Sequence, residues 1–110
     1  MRTKLIVATT LLMSACALFA IPPDALKAAA HLRAKIEYDA KQLIGCAKGD
    51  PSCAPFVQNL IDDCKEYILV QNDFILTTKQ NSRGDKADAD AIAEFNKNIE
   101  WAQNQMAKVK

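Results

Sequence analysis

Beyond residue 24 the chain is written in apolar stripes with three-and-four spacing, separated by short polar breaks. Ala29, Leu32, Ile36, Ala40 and Leu43 share one face and predict a helix over residues 25–45. Val57, Leu60, Cys64, Tyr67 and Phe74 form a second stripe, with Ile61, Ile68 and Ile75 beside it, and predict a helix over 52–80. So wide an apolar face suits a central helix that touches two neighbours. Ile92, Phe95, Ile99, Ala102, Met106 and Val109 continue an unbroken seam over 86–109. One competing pattern is a β-hairpin, because residues 67–70 and 74–78 are β-prone runs around Gln71-Asn72-Asp73. The sustained heptad spacing from 57 to 75 favours the helix.

The breaks carry matching chemistry. Pro22-Pro23-Asp24 precedes the first helix, and Asp24 is its expected cap. Gly45 and Gly49 punctuate its end, and Asp50 or Ser52 caps the second helix, with Pro51 and Pro55 tolerated in its first turn. Residues 80–84 are turn-forming, and Asp85 or Asp88 caps the third helix. Glu37 and Lys41 are spaced as an i,i+4 ion pair. Three such helices with short connections predict an all-α, up-down-up three-helix bundle roughly 30–40 Å long. It follows an N-terminal signal segment.

That segment is the most informative stretch. Met1-Arg2-Thr3-Lys4 is a short basic start, and no charge appears from Leu5 to Pro23. The run from Leu5 to Leu12 has the length of a signal-peptide core. Met13-Ser14-Ala15-Cys16 resembles the lipobox of bacterial lipoproteins, matching at Ser14, Ala15 and Cys16 and departing from the usual Leu at Met13. The resemblance covers residues 1–16 and not the helical body. It implies cleavage before Cys16, lipidation of Cys16 by fatty acyl chains and, with Ala17 next, no inner-membrane retention. The destination is then the cell envelope, at the outer membrane facing the periplasm in a Gram-negative host. Two alternatives stay open. Ala15-Cys16-Ala17 has the A-x-A form of an ordinary signal-peptidase site, which puts the end of the leader at 17 or 20 and releases a periplasmic or secreted protein. Leu5–Ile21 is also just long enough to stay as an anchor. Residues 17–24 read as a linker.

Export changes the reading of the other cysteines, since disulfides persist outside the cytosol. Cys46 and Cys53 flank the turn between the first two helices and are the natural pair. Cys53 and Cys64 lie too far apart along one helix, about 16 Å, to bridge. The alternative pair, Cys46–Cys64, requires the second helix to start late or cross steeply. Cys64, on the apolar stripe, reads as a buried thiol. No C-x-x-C or zinc-type Cys/His spacing occurs, so no metal is expected.

Charge narrows the partners. The 14 basic residues less Arg2 and Lys4 leave 12 against 13 acidic, a net charge of −1 for the body. Nucleic acid is not expected, because phosphate binding needs a concentrated basic face. His31, the single histidine, has no patterned Ser, Cys or acid around it and reads as a partly exposed helix residue. Asp62, Asp63 and Glu66 read as a solvated acidic face. With three glycines in predicted turns there is no phosphate loop, and no cofactor is implied. Trp101 points roughly 130° away from the Ile99/Ala102 seam. It is the candidate partner contact, unless it folds over the bundle edge onto a neighbouring helix.

The expected function is that of a non-enzymatic envelope lipoprotein. It would be held to a membrane by its N-terminal lipid and bind an envelope protein as an accessory, exclusion or inhibitory factor. The alternative is a soluble periplasmic or secreted bundle carrying a small apolar ligand.

Overall fold

The computed structural model describes residues 21–47, 49–82 and 84–109. The signal segment and the lipobox-like Cys16 lie outside the described residues. Three helices follow one another: α1 (Pro23–Ile44), α2 (Ala54–Gln80) and α3 (Lys86–Lys108), with a 3-10 turn (Pro51–Cys53) leading into α2. The described chain is an all-α, up-down-up bundle. Because α2 is continuous from Ala54 to Gln80, there is no hairpin over 67–78.

Helix α1 begins earlier than the capping pattern predicts. Pro22 occupies the N-cap in an extended conformation (φ −60°, ψ 144°), and Pro23 opens the helix. Proline's fixed φ and missing N–H suit the first helical position, where no intrahelical donor is needed. Asp24 therefore does not cap the helix. It lies in the first turn, where a carboxylate meets the positive end of the dipole. Helix α2 opens from Cys53 with no side-chain cap, so neither Asp50 nor Ser52 caps it directly; Asp50 caps the 3-10 turn that leads into it, and Asp85 caps α3. Asp50 Oδ1 accepts from the Ser52 N–H (2.9 Å) and hydroxyl (2.8 Å), and Asp85 Oδ1 accepts from the Asp88 N–H (3.0 Å). Both hydrogen bonds from Ser52 hold the Asp50 carboxyl below the usual carboxylate range. Asn81 closes α2, its side-chain amide donating to the Thr77 carbonyl at 2.8 Å.

The core runs through all three helices. Ala29 and Ile36 of α1, Leu60, Cys64, Tyr67 and Phe74 of α2, and Ala91, Phe95 and Ala102 of α3 are buried together. Phe74 and Phe95 pack with ring centroids 5.4 Å apart. Ile21 belongs to the same cluster, so the folded body starts inside the segment read as linker. A buried isoleucine side chain is worth roughly 1.5–3 kcal/mol, which makes Ile21 part of the fold. Helix α2 packs along both α1 and α3, as its double stripe requires. No helix among the described residues is long and apolar enough to cross a membrane.

Candidate functional site

Three features distinguish the folded body from a plain apolar bundle.

A polar and aromatic clasp ties the three helices. Gln71 of α2 is buried on the core side, and its Oε1 accepts from Asn98 Nδ2 of α3 at 3.0 Å. Arg33 of α1 reaches the same Asn98 (Nη1 to Oδ1, 3.5 Å), and its guanidinium lies over the Trp101 ring, 4.0 Å from the centroid. Trp101 in turn meets Tyr67 edge to face, with centroids 5.7 Å apart and planes at 70°. Glu37, expected to pair with Lys41, lies 3.9 Å from Arg33 Nε. Trp101 is thus half-buried, with one ring face covered by Arg33 and its surroundings open towards a shallow depression lined by Asn104, Gln105, Ala107 and Lys108.

The second feature is a pair of buried carboxyl groups. Asp39 of α1 and Asp63 of α2 are only 5% and 7% exposed. The Asp63 carboxyl is close enough for its charge to act on Asp39. One oxygen of each, Oδ2, is buried without a donor. An ionised carboxylate can only accept, so burial beside a second carboxyl disfavours the charged form of Asp39. Burial first, then the neighbouring Asp63 charge, raises the Asp39 carboxyl above its ordinary range, and Lys35 opposes this. Lys35 Nζ stands 3.5 Å from Asp63 Oδ1. This corrects the reading of residues 62–66 as one solvated face: Asp62 and Glu66 are exposed, but Asp63 turns inward. Cys64 lies beside the pair, and burial together with the Asp63 and Asp39 charges pushes its thiol up to about 11. A thiol that stays protonated and fully enclosed is a packing residue, not a nucleophile.

The third feature is the tip where α1 meets α2. Cys46 and Cys53 form a disulfide with Cα atoms 6.3 Å apart. The turn between them needs a left-handed residue, and Gly49 supplies it at φ +85°. Gly45, by contrast, has an ordinary φ of −87°. A cleft of about 600 Å³ opens beside the staple, lined by the apolar side chains of Leu43, Pro51, Ala54, Val57 and Val109 and by the disulfide. Ile44, the last residue of α1, is 83% exposed at the same end of the bundle.

His31 is exposed on α1 and borders a small depression with Lys35 and Glu66. Among the described residues no group of three or more His, Cys, Asp or Glu side chains is placed to hold a metal.

No family model, curated protein or solved structure matches the chain.

Sequence reasoning missed Asp39, Asp63, Gln71 and Ile44. Gln71 left a trace: it occupies the gap between Tyr67 and Phe74 in an otherwise regular stripe. Asp39 left one as well, three residues after Ile36 and four before Leu43.

Proposed function

We propose that the protein is a non-enzymatic envelope lipoprotein whose bundle presents its stapled tip to another envelope protein. The observation that carries this reading is the polarity of the bundle. The lipobox-like Cys16 precedes the buried Ile21 by five residues, a tether of at most about 17 Å when extended. The disulfide, the apolar cleft and exposed Ile44 lie at the opposite end of the 22-residue α1, about 33 Å farther on. An acylated Cys16 would hold the bundle by its other end and leave the rigid tip free to reach away from the membrane. A large aliphatic side chain at the end of a helix, next to a crosslinked turn, is well suited to dock in a partner's pocket, because little freedom is lost on binding.

Two variants separate the parts of this reading. Cys16→Ala moves the protein from the membrane fraction to the soluble one while the bundle stays folded. Ile44→Asp leaves membrane attachment and helix content unchanged but abolishes recovery of the specific envelope partner by pull-down. Recovery of the same partner with Ile44→Asp refutes the role of the tip.

A second reading is favoured by the cleft itself. Its volume, about 600 Å³, falls in the range of small-molecule sites, and most of its lining is apolar. A bundle that carries a small apolar ligand at this tip binds a fluorescent fatty-acid analogue saturably, and Val57→Asp removes that binding.

A further inference from the structure

The face of α2 directly opposite the core carries two leucines in the open. Leu69 is 69% exposed and Leu76 is 54% exposed. Counted at 100° per residue from Leu60 at the core centre, they fall at about 180° and 160°, one above the other. The exposed charges beside them are sorted by sign. Lys65 and Lys79, with Asn72 between, fall on one side of the ridge at about 100–140°. Asp62, Asp73 and Glu66 fall on the other side at about 200–240°.

This arrangement selects its own partner. When two copies of such a helix face each other about a two-fold axis parallel to the helices, each basic edge meets the other copy's acidic edge. In the antiparallel arrangement like edges meet, and both contacts are repulsive. We infer that α2 pairs with α2 of a second copy of this chain, parallel and in register. Leu69 and Leu76 each pack on their own counterpart, and Lys65 lies alongside the partner's Asp62 and the partner's Glu66.

Two leucines and their polar rims cover far less than the roughly 800 Å² per subunit of a stable interface, so the pair is weak between free molecules. Tethering both copies to one membrane raises the effective concentration towards the millimolar range and imposes the parallel orientation. This gain in concentration and the imposed orientation rest on the lipid-anchor reading. The leucine ridge and the sorted charges belong to the folded bundle.

The test is cysteine crosslinking of the full chain, in membranes and at high concentration in detergent, read on non-reducing gels. Leu69→Cys and Leu76→Cys, each alone, form covalent dimers several-fold above Ala34→Cys, an exposed control on α1. Adding Lys65→Glu and Lys79→Glu to Leu69→Cys returns crosslinking to the control level. Mixing that chain with a Leu69→Cys chain carrying Asp62→Lys and Asp73→Lys restores it. Crosslinking of both leucine variants at the control level in both settings overturns the pairing, as does a dimer that forms only between Leu69→Cys and Leu76→Cys chains. Crosslinking in detergent by a protein that carries no acyl chain leaves the pairing standing and removes the anchor.

Discussion

The Arg33 guanidinium lies 4.0 Å from the centroid of the Trp101 ring and joins the outer two helices across the core face of the middle one. Neither residue belongs to an apolar stripe. The contact exists because Arg33 buries its stem and stacks its planar head on the indole while still reaching Asn98. Arg33→Lys loses the planar stacking and the hydrogen-bond fork together and lowers stability by about 1 kcal/mol. Trp101→Ala also removes the Tyr67 contact and costs more, about 2–3 kcal/mol. Urea unfolding followed by circular dichroism checks both. For the Arg33 variant, the emission of Trp101, the single tryptophan, reports the same transition.

A consequence for partner mapping is that Trp101→Ala is a poor probe of binding, because it loosens the bundle. Substitution at Ile44, 83% exposed, changes surface without changing packing.

The buried Asp39–Asp63 pair makes stability depend on pH in an unusual direction. Folding raises the Asp39 pKa, so the native state holds its proton where the unfolded chain releases it. Stability from this group is fully present below the ordinary value of 3.8 and is lost as pH rises through the raised native value. Asp50, held low by Ser52, acts in the opposite sense, its contribution being lost on acidification. The comparison with Asp39→Asn isolates the pair. The variant is more stable than the parent near neutral pH, by about 1–2 kcal/mol, since its amide donates to Asp63 without a charge. The gap narrows as the pH falls into the acid range. Thermal melts of both proteins across pH 4–8 measure it, and parallel curves contradict it.

The staple and its turn are separable. Cys53→Ser lengthens the freedom of a short loop and costs about 2 kcal/mol by loop-closure entropy. Gly49→Ala forces a side chain into the left-handed region and costs about 1 kcal/mol with the disulfide intact. Gly45→Ala, at an ordinary φ with open space around it, is tolerated. Cys64 stays unreactive towards thiol reagents in the native protein and reacts on unfolding, because burial and two neighbouring carboxylates keep it protonated.

The apolar half of the fold is legible in the sequence. Leu60, Cys64, Tyr67 and Phe74 are buried where their spacing puts them, and so are Ile36, Phe95 and Ala102. Cys46 and Cys53 are joined because the turn between two predicted helices brings them together. What the sequence hides is inward polarity. Asp63 sits beside exposed Asp62 and looks the same by composition; only the helical phase, which places it on the side facing Asp39, separates them. The Arg33–Trp101 contact spans two helices distant in sequence, so no local pattern can announce it. The start of α1 is hidden for a different reason: a proline at the first helical position outweighs a side-chain cap one residue later.

The mass of the intact protein recovered from cell membranes bears most directly on the account, in which an exported, lipid-held bundle carries an oxidised tip. The expected species lacks residues 1–15, carries fatty acyl chains on Cys16, and is lighter by the hydrogens lost in joining Cys46 to Cys53. A protein recovered with Met1 in place, no acyl chain and every thiol reduced contradicts it.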